Sequence, residues 1–180
     1  MQKKYKGLNI TVILAFLTAI SIVCGKYLAI RGGDVMRFSL ENMPIIFAGI
    51  CFGPLAGGAV GLVADLVGCV LVGYAINPLV TLGAVAIGVI SGICPALLQK
   101  TNCKSYIITL VSVASAHLIG SVIIKTVGLC VFYSMPFYVL LLWRALNYLI
   151  VGIIDGLAVH ILINNKEIKA QIKKLGGKNL

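Results

Sequence analysis

Acidic side chains are scarce in this 180-residue chain: five Asp and Glu stand against fifteen Lys and Arg, and charge of either sign amounts to 11% of residues. So little charge, beside 60% hydrophobic residues and a mean hydropathy of +1.06, excludes a soluble globular domain and implies one integral membrane domain. The six cysteines (Cys24, Cys51, Cys69, Cys94, Cys103, Cys130) occur singly, without CxxC spacing, so neither a disulfide framework nor a metal site is expected. His117 and His160 are equally isolated, and each reads as a helix-packing residue. No nucleophile, base or metal-ligand set recurs at helical spacing, so no catalytic residue and no cofactor is expected. A cleavable signal is also missing. The apolar run from Leu8 to Val23 is too long for an h-region and reads as a first membrane span.

What is present are runs long enough to cross a bilayer, which takes about 20 apolar residues. Six fit, at 8–29, 41–52, 55–72, 79–98, 106–133 and 137–163, and the second is short by that standard. Basic residues cluster at both ends and in one connection: Lys3, Lys4 and Lys6, then Lys100 and Lys104, then Lys166 through Lys178. The positive-inside rule makes those segments cytoplasmic, so both termini lie inside a multi-pass cell-membrane protein. The net charge of +10 therefore has a topological explanation, and nucleic acid is not an expected partner. Residues 164–180 read as a basic cytoplasmic tail at the anionic inner leaflet.

Glycine is plentiful, at 20 residues, and patterned. Gly57 and Gly61, Gly88 and Gly92, and Gly152 and Gly156 form small-residue ridges that let helix backbones approach closely. Ala15 and Ala19 form a similar ridge on the first span, with no buried polar neighbour to explain it.

Four ionisable residues, Asp65, Lys125, Arg144 and Asp155, interrupt otherwise apolar spans. A charge at mid-bilayer costs about 3 kcal/mol on insertion scales, so each has to face protein, ligand or water. At about 1.5 Å per residue, Asp65 lies roughly 15 Å above the cytoplasmic start of its span. Lys125 and Arg144 fall in the outer half, with Asn147 and Tyr148 on the Arg144 face, and Lys26 sits at the outer end of the first span. These groups can line one outward-facing pocket, whose cations Lys26, Arg37, Lys125 and Arg144 outnumber Asp65. That sign fits a solute carrying a carboxylate or phosphate, on whose planar part Trp143 or Phe38 could stack. An Asp65–Arg144 salt bridge that merely ties two helices together is the competing reading. Asp155 lies in the inner half and reads as a structural or coupling residue. Outer loops containing Gly33, Asp34, Tyr74 and Asn77 have a composition that suits either a gate over the pocket or ordinary hydrated turns.

The segment VMRFSLENMPIIFAGICFGPLAGGAVGLVADLVG, followed by NPLVTLGAVAIGVISGI, resembles the substrate-binding S subunits of energy-coupling factor (ECF) vitamin transporters, most closely the folate-specific members. The resemblance implies an all-α membrane protein of six transmembrane helices with an outward-facing pocket gated by loops 30–40 and 73–78. It further implies that Ala15 and Ala19 dock on a shared transmembrane T subunit driven by two cytoplasmic ATPases. This chain has no GxxxxGKS or GxxxxGKT run, so it is not expected to hydrolyse ATP itself, and no enzymatic activity is expected of it. For folate, the pterin ring would meet Asp65 and Asn147 and stack on Trp143 or Phe38, while the glutamate tail would meet Lys26, Arg37 or Arg144. The 73–78 loop is shorter than the Gly/Phe/Pro-rich loop expected of this group. Pantothenate, a queuosine precursor or thiamine are alternative solutes. A solitary ion-coupled transporter using Asp65 and Asp155 is the alternative mechanism, although no inverted repeat is evident between the halves.

Overall fold

A computed structural model describes residues 2–32, 36–99, 104–175 and 177. The expected positions Gly33, Asp34, Lys100, Cys103 and Lys178 lie outside the described residues, and the side chains of Lys3, Lys4 and Lys6 are likewise not described. The chain is an α-helical bundle with one small hairpin. α1 (Gln2–Ile22) continues into a π-helical segment (Val23–Tyr27), and β1 (Ile30–Gly32) pairs antiparallel with β2 (Met36–Phe38), Arg31 in register with Arg37. Then come α2 (Asn42–Phe52), α3 (Pro54–Leu71), α4 (Pro78–Leu98) and α5 (Ser105–Ala116). A second π-helical segment (His117–Ile124) joins α5 to α6 (Lys125–Tyr133), and α7 (Phe137–Asn164) and α8 (Lys166–Leu175) complete the chain.

Among the described residues, five helical stretches are long and apolar enough to cross a membrane: Gly7–Tyr27, Pro54–Leu71, Pro78–Leu98, Ser105–Tyr133 and Phe137–Asn164. The sixth expected span is α2, which at 11 residues rises only about 16 Å, roughly half of a 30 Å hydrocarbon core. Its position explains how so short a helix is tolerated. Nine of its residues are buried, so α2 is the central post of the bundle and exposes little backbone to lipid. Its outward continuation is the hairpin, an addition to the purely helical architecture expected from the sequence. Because α2 stops at half depth, the outer half of the bundle's centre is left for side chains from its neighbours.

The glycine ridges lock this arrangement. A Cβ on Gly57 would collide with the carbonyl oxygen of Gly88, and one on Gly88 with the Gly57 carbonyl, so α3 and α4 cross at backbone contact. Pro54 starts α3 directly after Gly53, whose φ of 97° closes α2 in a conformation that favours glycine. The Gly152–Gly156 ridge is looser, with only the His117 ring and a Leu110 methyl near it. Below the core cluster of Ile46, Ile50, Cys51 and Val159 lies α8. Its Ile172 is 4% exposed while Lys166, Lys169, Lys173 and Lys174 face outward, so this part of the basic tail is a docked amphipathic helix.

Candidate functional site

Above the N-terminus of α2 is a cavity of about 160 Å³ bordered by Lys26, Arg37, Ser39, Glu41, Asp65, Cys69, Tyr74, Asn77, Lys125, Arg144, Asn147 and Tyr148, among others. The structure thus brings together Lys26, Arg37, Asp65, Arg144 and Asn147, together with Tyr74 and Asn77 of the expected gate. Helical faces account for most of the wall. Lys125, Leu129 and Tyr133 follow one another at i+4 on α6, as do Asp65 and Cys69 on α3, while Asn147 and Tyr148 follow Arg144 on α7.

Two anticipated members are placed elsewhere. Trp143 immediately precedes Arg144, so helical geometry turns it about 100° away, and it is 41% exposed on the outer surface. Phe38 follows Arg37 in a strand, where successive side chains point to opposite faces. Neither borders the cavity. Aromatic surface is supplied instead by Tyr74, Tyr133 and Tyr148, of which Tyr133 reads from sequence as an interfacial belt residue.

The charged groups are held by different kinds of partner. Asp65 accepts a 2.6 Å hydrogen bond from Thr81 Oγ1 of α4. Arg144 donates from Nε and Nη2 to the Ser121 carbonyl, at 3.1 and 2.7 Å, and lies 5.2 Å over the Tyr148 ring. Among the described residues Asp65 and Arg144 form no ion pair, so the competing helix-tying bridge is not what the fold uses. Lys26 crosses the open face of Gly68, reaches within 3.7 Å of Cys69 Sγ and sits 5.9 Å from the Tyr74 ring centre. Asn77 caps α4 by accepting from the Leu79 and Val80 amides, and donates 2.9 Å to the Gly128 carbonyl, tying the 73–78 loop to α6.

Glu41 is the residue that sequence reasoning missed. At the border of a short span it reads as an ordinary interfacial acid, yet its Oε2 lies 3.1 Å from Arg37 Nη2 and its Oε1 3.3 Å from Lys125 Nζ. Arg37 Nη2 also donates to the Gly25 carbonyl. Asn147 Nδ2 donates 2.8 Å to the Arg37 carbonyl, fastening the hairpin to α7. Two buried polar atoms of the lining, Arg37 Nε and Asn147 Oδ1, have no protein partner, a donor and an acceptor in one wall.

Both π-helical segments adjoin this site. Lys26 lies within the first, and Lys125 directly follows the second. Each inserts extra residues into the helical turn and so re-aims the side chains beyond it, a device often found where function needs a residue out of α-helical register. The second also presents His117 to Asp155. Nε2 and Oδ2 are 3.0 Å apart, and the same imidazole stacks on Tyr148 at 5.1 Å. Asp155 therefore sits below the cavity as a buried structural partner.

On α1, Ala15 and Ala19 are exposed in a row with Val12 and Phe16, which are 62% and 65% exposed. Only 11% of that helix's apolar window is buried, against 33–44% in the other long helices, so α1 offers the most open lateral face of the bundle.

Comparison with known proteins agrees with this architecture. Residues 10–163 match the family model described as ECF transporter, substrate-specific component. A folate transporter FolT of Clostridium novyi (strain NT) is 30% identical over 66 residues, a stretch covering 37% of this chain and 38% of that relative's length. Among solved structures, FolT bound with folic acid superposes with a TM-score of 0.70 at 21% identity, over 87% of this chain and 93% of that one. ThiT from Listeria monocytogenes gives 0.66 at 19% identity, over 90% and 97% of the two chains. An S-component for biotin from an ECF-type ABC transporter gives 0.65 at 18%, over 96% and 95%. These structural likenesses establish the fold. With the family model covering nearly all of the membrane domain, the chain belongs to the substrate-specific components of ECF transporters, multi-pass membrane proteins that bind solute and are not enzymes.

Proposed function

We propose that this S component captures folate from outside the cell and delivers it through a T subunit energised by two cytoplasmic ATPases. One observation carries the choice of solute: four cations and two carboxylates border the cavity, which leaves its wall two positive charges in excess. A ligand with two carboxylates, such as the glutamate tail of folate, balances that excess. A cationic vitamin such as thiamine does not. Asp65 and the unpartnered Asn147 Oδ1 are acceptors suited to the amino and ring N–H groups of a pterin, and Tyr74, Tyr133 and Tyr148 are the aromatic surface available for stacking. The FolT likenesses support the same solute.

The cavity is smaller than the roughly 300–1,000 Å³ of sites that engulf drug-sized ligands. Entry of folate therefore involves displacement of the hairpin and the 73–78 loop, the two gates expected from the sequence. The open α1 face with Ala15 and Ala19 is the surface offered to the T subunit. Mass spectrometry of the small molecule that co-purifies with the protein tests the solute. Folate is the expected finding, and a cationic or uncharged vitamin in its place refutes the assignment.

A further inference from the structure

If the solute is a dianion, as proposed above, one carboxylate of the site stands in an awkward place, and the inference rests on that reading. Glu41 lies between Arg37 and Lys125, two of the cations that an anionic ligand would need. The two acids of the site differ in kind: Asp65 is held by the neutral Thr81 hydroxyl, whereas Glu41 is clamped by two opposite charges from β2 and α6. Lys125 explains why the clamp exists. It is 5% exposed, and a buried ammonium requires a counter-charge. Among the described residues Glu41 is the only carboxylate within ion-pair distance of it.

We propose that Glu41 is a displaceable counter-ion: its carboxylate occupies the position of a ligand carboxylate between Arg37 and Lys125, and swings aside when an anionic solute enters. The chemistry on the two sides of the exchange is the same, carboxylate for carboxylate, so neither cation is ever left uncompensated. A solute lacking an anion cannot make the exchange and is rejected, because displacing Glu41 would strand Lys125.

The local construction suits such a swap. Ser21 Oγ donates 2.6 Å to the Glu41 backbone carbonyl, so the main chain is anchored and side-chain rotation suffices. The carboxylate rests on Gly25, where a Cβ would intrude on Oε2, and the Glu41 side chain retains 18% exposure toward the cavity. Arg37 keeps its bond to the Gly25 carbonyl and an unpartnered Nε with which to meet an incoming group.

The test uses detergent-purified full-length protein titrated with folate and, separately, with glutarate, a dicarboxylate without a ring. Binding is read from ligand-induced thermal stabilisation and from calorimetric titration. Glu41→Gln is expected to bind both probes at least tenfold more tightly than the parent, and the gain disappears in the Glu41→Gln/Lys125→Met double variant. Glu41→Asp, which keeps the charge but shortens its reach, is expected to show a smaller gain of about threefold and serves if the Gln variant does not fold. Equal or weaker glutarate binding by these variants overturns the proposal and makes Glu41 a fixed part of the site. Tighter glutarate binding without any response to folate leaves the counter-ion standing and removes the folate assignment instead.

Discussion

Nε2 of His117 and Oδ2 of Asp155 meet 3.0 Å apart between the second π-helical segment and α7, with residue exposures of 3% and 0%. The same imidazole lies 3.4 Å through Nδ1 from Ser121 Oγ, whose backbone carbonyl holds Arg144. The pair thus braces the π-helical turn that leads into Lys125 and whose Ser121 carbonyl anchors Arg144, two residues of the cavity wall. Leaving a buried polar group unpartnered costs about 1–3 kcal/mol. His117→Leu is expected to lower the melting temperature in detergent, and the double variant His117→Leu/Asp155→Leu to recover part of the loss. Additive losses would show that the two side chains act separately.

Asp65→Asn should weaken folate binding by tenfold or more while the protein still elutes as a monodisperse peak. The side chain keeps its size and its contact with Thr81, so packing is preserved, but the charged acceptor is lost. Calorimetric titration checks this, and unchanged affinity would remove Asp65 from the ligand contacts.

Gly88→Leu should abolish the folded protein. The added side chain would have to pass through the Gly57 carbonyl, and overpacking of even well-placed cores costs about 1–3 kcal/mol before any backbone clash is counted. Gly152→Leu, where only the edge of His117 lies near, is expected to be far milder. Comparing the monodisperse yields of the two separates seam from surface.

Ala15→Trp combined with Ala19→Trp should leave solute affinity of the isolated protein unchanged but reduce uptake in cells that carry the T subunit and its ATPases. Both residues are exposed on α1 and border no part of the cavity. Loss of binding in the isolated variant would contradict this division between capture and coupling.

Much of this was legible from the amino-acid sequence because hydrocarbon punishes charge. Asp65, Lys26, Arg144 and Asn147 could be assigned to one outer chamber from span boundaries and helical rise alone, and the glycine ridges from their four-residue spacing. Where the structure departs from the sequence reading, it does so in facing rather than depth. Trp143 and Phe38 are neighbours of cavity residues in sequence, and for that reason point elsewhere in a helix and a strand. Leu129 and Tyr133 could have been found by tracing the i+4 row from Lys125. The π-helical segments leave no such trace, since an apolar run such as HLIGSVII has the same composition in either hydrogen-bonding pattern. Glu41 was hidden for a different reason: its partners lie 4 and 84 residues away, and only the folded chain brings Lys125 to it.

The half-length central helix separates two tasks along the membrane normal. Beside it, backbones interlocked through Gly49, Gly57 and Gly88 leave no room for added side chains; above it, a hairpin and a few side-chain tips border the cavity. The lining of the cavity can thus vary while the supporting frame stays in place, and this frame superposes on ThiT and on an S-component for biotin at 19% and 18% identity.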